Sequence, residues 1–316
     1  MSDVVLAIDV GGTKIALAAV DEEGAILAED LRPTLPDPDP MAVLAPLLEG
    51  IRALAPGLSE APGPLRVGIA SAGPLDVPSG TVSPVNIGAW RDFGLVEHVG
   101  REVHSSTGRT PLVGLAGDGH CFALGEHWLG AGRDVASMVG LVLSTGVGGG
   151  AVLDDRLFAG ATGNAVHLGH ISVNAWGPRC VCGGHGCVEM YARGPALVAA
   201  ARERGWDGGT DARALTADAR AGDPVALEVI DAGMRALAAG IATTATELDV
   251  TTFVLGGGVA RAGEVVLEPL RRHLRDFATL PYVSGIEVRP AVLDNAGLLG
   301  AAALALSLDP GAATQG

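Results

Sequence analysis

The chain has 316 residues, 48% of them hydrophobic and 18% charged, with a formal net charge of −15. That length supports two domains with substantial cores, and the balance of apolar and charged residues excludes a disordered chain. The acidic balance argues against nucleic-acid binding, which rests on clustered Lys and Arg, and no apolar run reads as long enough to span a bilayer.

Aromatic residues make up 3%, so the core must be built from Ala, Val and Leu. Residues 4–8 read as a short apolar strand that ends at Asp9. Gly11, Gly12, Thr13 and Lys14 follow, and a second β-rich run covers 15–20, so the pair predicts a β-hairpin. No basic n-region precedes the first strand, so no signal peptide is expected. An acidic residue at a strand end, followed by glycines, brings a metal-binding carboxylate and backbone amides near one point. The spacing is not that of a P-loop, and no helix follows. An ordinary hairpin with an aspartate at its tip has the same pattern. Lys14 is the chain's only lysine, which singles it out.

Residues 21–40 continue as a further strand and a proline-rich loop, PTLPDPDP. Helical periodicity covers 41–54, a strand covers 65–70, and a turn falls at Pro78-Ser79-Gly80. Asn86 lies in the loop SPVNIGAW, before a helix over 96–105 and a strand over 111–115. Asp118 then sits where that strand ends and a helix begins. A carboxylate there can take a proton from a substrate hydroxyl or cap the helix. A strand over 138–143 leads into Ser144-Thr145-Gly146-Val147-Gly148-Gly149-Gly150 and another strand. This second glycine hairpin suggests a duplicated fold.

Residues 167–189 read HLGHISVNAWGPRCVCGGHGCVE and hold three of the four cysteines, with His170 upstream. Cys180, Cys182, Cys187 and His170 make a Cys₃His set, one of the usual tetrahedral zinc shells. Gly183, Gly184 and Gly186 let the backbone turn the sulfurs inward. Disulfides are the rival reading, but three thiols cannot all pair, and Cys180 and Cys182 are too close for an easy bridge. A closed set of four ligands reads as a structural site that fixes the loop carrying His167, His170 and Glu189. His185 is the rival ligand. Such a thiol cluster suits a reducing cytosol. Helices are expected over 194–205 and 223–247, then a strand over 253–255 ending in Gly256-Gly257-Gly258. Helices over 265–277 and 296–306 follow, and the tail PGAATQG reads as frayed.

The order G-x-x-x-x-x-G-H, then C-x-C-G-x-x-G-C-x-E, resembles the signature of the ROK family of sugar kinases and sugar-responsive repressors. The resemblance runs from Asp9 to about Gly300. It implies an α/β, two-domain actin-like/RNase H-like ATPase fold with a cleft between the domains. A small domain would cover 1–116 and a large one, with the zinc loop, 117–296. A C-terminal helix over about 297–312 would pack back on the first. The resemblance implies ATP and Mg²⁺ as cofactors. Asp9, Gly11, Gly12, Thr13 and Lys14 would form the first phosphate hairpin, Thr145 and Gly146 the second, and Gly256, Gly257 and Gly258 the adenosine side. It makes His170, Cys180, Cys182 and Cys187 ligands of a structural Zn²⁺. Gly73, Asn86, Asp118, His167, His170 and Glu189 would face the sugar. Asp118 would be the general base for a primary hydroxyl, of the 6-OH type. The domains would close over the substrate and exclude water. Members of this kind are commonly cytoplasmic homodimers or homotetramers.

Departures from the pattern bear on the substrate. The family writes E-x-G-H where this chain has His167, and N-D-A-N-x-x-x-L-x-E where it keeps Asp118 and Glu126 but has Gly117 and His120. The missing asparagine at Gly117 is expected to open room. A glucokinase-like hexose kinase is the default expectation. The altered contacts also admit a modified sugar or cyclitol, such as kanosamine or a C7 cyclitol, or a non-catalytic sugar sensor. A repressor would carry a helix-turn-helix domain before the first hairpin, for which Asp9 leaves no room.

Overall fold

A computed structural model describes residues 3–60 and 63–309 of the chain. The tail expectation for 310–316 lies outside the described residues. β1 (Val4–Val10) and β2 (Lys14–Asp21) form the expected antiparallel hairpin, with Val10 opposite Ile15. β3 (Ile26–Pro33) pairs with β2, and α1 (Pro40–Ser59) follows. β4 (Arg66–Ser71) lies parallel to β1. The short strands β5 (Leu75–Asp76) and β6 (Thr81–Val82) pair with each other, ahead of α2 (Leu95–Thr107). β7 (Leu112–Gly117) runs parallel to β4 and leads into α3 (Asp118–Trp128). β8 (Met138–Leu143) and β9 (Val147–Leu153) form the second antiparallel hairpin, followed by β10 (Arg156–Phe158). After the cysteine-rich loop come α4 (Glu189–Ala192), α5 (Gly194–Glu203), α6 (Ala212–Arg220) and α7 (Pro224–Leu248). β11 (Thr252–Gly256), α8 (Glu264–Phe277), β12 (Glu287–Pro290) and α9 (Ala296–Leu306) complete the chain.

Two compact units result. The first is 1–133 with 156–165 and 293–316, and the second is 134–155 with 166–292. The dividing point therefore falls after α3, not at the 116/117 boundary expected from the sequence. The reason is that α3 packs on α9, and α9 also covers β1 and β4.

In the first unit the sheet order is β3-β2-β1-β4-β7. Its two faces differ in composition because strand residues alternate sides. Leu6, Ile8 and Val10 of β1 join α1 and α2 in a Leu/Ile/Val core. Val5 and Ala7 join Ala301, Ala302 and Ala305 of α9 in an alanine-rich one. Small side chains on that second face let α9 lie close. Asp9 follows in the same register, so strand parity sends its carboxylate to the α9 face.

α1 corrects one expectation. It has 20 residues and is apolar enough to cross a bilayer by length and composition. Yet Val43, Leu44, Leu47, Ile51 and Leu58 are buried in the core of the first unit. It is the apolar helix of a domain core, with Pro46 and Pro56 inside it.

The second unit repeats the pattern. Its strands run β9-β8-β11-β12, an antiparallel hairpin followed by two parallel strands. The duplication suggested by the two glycine hairpins thus holds at the level of topology. Val139, Leu141 and Leu143 of β8 pack with Leu237, Ile241 and Ala245 of α7 in its core.

Candidate functional site

The first unit gathers four of the predicted groups around its hairpin. The turn is closed by Gly11 N donating to Lys14 O at 3.0 Å, and Thr34 Oγ1 donates to Gly11 O at 2.7 Å. Asn86, in the loop before α2, lies over this turn. A Cβ on Gly12 would come within 2.6 Å of its Nδ2, so a larger residue there would displace the Asn86 side chain. Asp9 lies at the end of β1 against the start of α9, where a Cβ on Gly297 would approach its Oδ2 to 2.9 Å. Burial pushes the Asp9 carboxyl up to about 6; the negative charge of Asp118 adds to this and Lys14 partly offsets it. The first-hairpin aspartate and the predicted base are therefore electrostatic neighbours, although 109 positions separate them in sequence.

Asp118 is the first residue of α3 and is exposed. It does not act as the helix N-cap, a place held by Gly117, and its Oδ1 accepts from Gly119 N at 2.7 Å. Its charge is favoured by the amides at the helix start. Gly117 does not leave the empty room expected from the missing asparagine. His120 is buried at 2% exposure, and its Nδ1 lies 3.0 Å from where a Cβ on Gly117 would sit. The two departures are one paired exchange, with the imidazole filling the space beside the glycine. Glu126, the other matched motif residue, is fully buried and structural. Its Oε2 accepts from Ala131 N at 2.8 Å and its Oε1 from Leu293 N at 2.9 Å. Gly73 follows β4 and forms a cis peptide with Pro74.

In the second unit, Ser144 and Thr145 of the hairpin tip and Gly258 of the glycine run line one cavity of about 580 Å³. Gly256 ends β11, and Gly257 has φ +96°, with Leu143 O only 2.4 Å from where its Cβ would be. That close approach brings the two strand ends together. The far wall of the cavity was not legible in the motifs. It comes from Val198 and Arg202 of α5 and from Asp211 and Arg213 at the start of α6. The available signals were local ones, the Gly194-Pro195 helix start and Asp211 as N-cap of α6, where it accepts from Ala214 N. The cavity volume lies within the usual range of small-molecule and cofactor sites.

The Cys₃His donors also meet in this unit. One ligand atom from each of His170, Cys180, Cys182 and Cys187 lies within 4.8 Å of all the others. Cys182 Sγ and Cys187 Sγ are 3.7 Å apart, as are Cys180 Sγ and His170 Nδ1. The edge of a zinc tetrahedron with thiolate ligands is about 3.8 Å, so these separations fit a shared ion. The four cysteines are free, which removes the disulfide reading. Cys121 is buried apart from the set, and burial drives its thiol pKa far up. His185 directs its Nδ1 to Gly177 O at 3.2 Å instead. Metal analysis of the purified protein should therefore return about one zinc per chain. Cys182→Ser should lower zinc content and melting temperature together, while His185→Ala keeps wild-type zinc. Well under one zinc in the wild type would refute the site.

His167 is exposed, and its ring lies 6.2 Å from that of His170 at an interplanar angle of 21°. The residue before it, Val166, has φ +59°, a left-handed conformation that a β-branched side chain rarely adopts. His167 itself centres a tight turn closed by Leu168 N donating to Val166 O at 2.8 Å. Strain of about 1–3 kcal/mol at such a residue persists where the surroundings fix it. Glu189 opens α4, and its Oε2 accepts from Val147 N of the second hairpin at 3.2 Å.

The ROK family model matches residues 5–307. A glucokinase of Thermotoga maritima is 35% identical over 315 residues, covering 95% of this chain and 96% of that protein. An N-acetylmannosamine kinase of Citrobacter koseri is 37% identical, covering 95% and 98%. A glucokinase of Streptomyces griseus, solved in complex with glucose and AMPPNP, is similar with a TM-score of 0.77 and 33% identity over 96% of this chain and all of that one. With the paired hairpins, the shared cavity and the Cys₃His cluster already in place, this match over nearly its whole length makes the chain a member of the ROK family.

Proposed function

We propose that the protein is an ATP-dependent kinase that transfers a phosphoryl group to the primary hydroxyl of a hexose or a hexose-like substrate. The observation that carries this reading is the single cavity lined by both Thr145 and Gly258, which unites the second hairpin with the glycine run. The kinase names of the relatives agree with it. In this reading the cavity takes the adenosine, and the amides and Thr145 hydroxyl at the hairpin tip hold the terminal phosphates. Asp9 would help to hold Mg²⁺, which would neutralise phosphate charge when bound with the triphosphate. Asp118 accepts the proton of the attacking hydroxyl. Zinc supplies rigidity to the loop. Its binding at His170 Nδ1 would leave the proton on Nε2, which makes that edge a fixed hydrogen-bond donor toward a sugar oxygen.

A kinase assay over a panel of hexoses, amino sugars and cyclitols, read as sugar-dependent ADP release, tests the activity. No release with any of them refutes it. The same assay locates the substrate. A glutamate at position 167 would accept two hydroxyls at once, whereas a neutral imidazole offers one donor and one acceptor. We read the chain as preferring a substrate altered at the ring positions that His167 faces. His167→Glu should raise kcat/KM for glucose by about 10- to 150-fold, the worth of one charged hydrogen bond, and lower it for the preferred substrate. A wild type that already turns over glucose well, with no response to His167→Glu, would make it an ordinary glucokinase.

A further inference from the structure

The tip of the second hairpin is held by the segment that runs on from the zinc ligands. Glu189 Oε2 accepts from Val147 N at 3.2 Å, and Glu189 Oε1 lies 3.8 Å from the Arg193 guanidinium one turn along. Gly194 N then donates to Ser144 O at 2.8 Å. So the two ends of the turn, Ser144 and Val147, are each tied to residues 189–194. The start of this segment is equally fixed. Cys187 belongs to the Cys₃His set and is bridged to Ser172, and Val188 N donates to Ile171 O at 3.0 Å. Gly169, beside the ligand His170, packs so near the hairpin that its Cβ would lie 2.1 Å from Val147 O.

A Glu189 that served the sugar alone would keep both oxygens for hydroxyls. Here the side chain is only 12% exposed, and one oxygen already accepts a backbone amide of the turn. That amide follows Gly146, and Gly146 itself passes within 3.0 Å, at its Cβ position, of the same carboxylate. Gly194 N holds Ser144 O, and Ser144 N donates to Gly146 O across the turn at 2.9 Å, so this hydrogen bond is what fixes the Val147 amide at the glycine-flanked end of the turn.

We propose that Glu189 is a positioning residue for the nucleotide: it holds the Gly146–Val147 turn in the conformation that receives the triphosphate, before any sugar is bound. The proposal rests on the kinase reading above. It makes the zinc loop a support for the phosphate hairpin as well as for the sugar side.

The test is calorimetric titration with adenylyl imidodiphosphate and Mg²⁺ in the absence of sugar, with AMP titrated in parallel. Wild type, Glu189→Ala and Glu189→Gln are compared, each with its zinc content measured. Glu189→Ala should bind the triphosphate analogue about tenfold more weakly, from loss of a charge-assisted hydrogen bond. Glu189→Gln retains an amide oxygen for Val147 N and should stay within about threefold of wild type. AMP affinity and zinc content should match wild type in both. Wild-type affinity for the analogue in Glu189→Ala, with only the sugar KM raised, overturns the proposal and leaves Glu189 a sugar contact. An equal loss of AMP and analogue also overturns it, since that reports damage to the whole cavity. A wild type that binds no analogue defeats the kinase reading itself, before any variant is made.

Discussion

Asp118→Asn should lose kcat by a factor of about 10² to 10⁴, the usual worth of a positioned general base. Binding of a non-hydrolysable ATP analogue should stay at the wild-type level, because the cavity proposed for the nucleotide is lined only by residues of the other unit. The substitution is mild for the fold. The Asp118 carboxylate receives Gly119 N at 2.7 Å, and an amide oxygen can receive the same donor. Gly117, not Asp118, occupies the N-cap position, so a capping loss does not explain a fall in rate. Asp118→Ala is the poorer probe, since it removes that local bond as well. A variant that keeps more than a tenth of wild-type kcat would assign Asp118 a structural part at the helix start. The assay is a single-substrate-panel comparison of kcat for variant and wild type, with melting temperature as the control for folding.

The chemistry that lies close together in the chain was the most legible. The Cys₃His cluster spans residues 170–187, and its ligand types and glycines already implied an inward-facing set. Both hairpins were legible because two apolar runs and a glycine turn leave few alternatives. What the sequence could not show was side-chain contact across distance. His120 beside Gly117 is a nearer case: the N-cap and the third residue of α3 are neighbours by helix geometry, so this contact could have been read from the spacing. Asp211 and Arg202 reach the cavity through the packing of α5 and α6, and neither carries a motif. The unit boundary was misplaced for a related reason. α3 follows β7 directly, yet it belongs with α9, nearly 180 positions on, because Gly125 lies against Ala296 and Gly300 against Cys121, which lets those helices meet closely. Glu126 matched the family pattern but holds two backbone amides, so a conserved-looking acid proved to be part of the scaffold.

Asp9→Asn should abolish phosphoryl transfer and at the same time stabilise the nucleotide-free, Mg²⁺-free protein near neutral pH. The Asp9 carboxyl is raised from 3.8 to about 6, first by burial and then by the charge of Asp118, with Lys14 opposing. Between those two values the folded chain binds more protons at this site than the unfolded chain. Stability from Asp9 is therefore full at low pH and falls as pH rises from about 4 to about 6, then levels off. The loss amounts to at most about 3 kcal/mol, from roughly two pKa units at 1.36 kcal/mol each. Asparagine carries no charge at any of these pH values, so the variant escapes that loss. Melting curves of wild type and Asp9→Asn should coincide near pH 4 and separate by several degrees at pH 7 to 8, with the variant higher. Because Asp118 is one cause of the shift, Asp118→Asn should move the wild-type falling limb to lower pH and shrink the benefit of Asp9→Asn in the double variant. Parallel curves over the whole range, with no separation above pH 6, would show that Asp9 is solvated well enough to carry its charge at no cost.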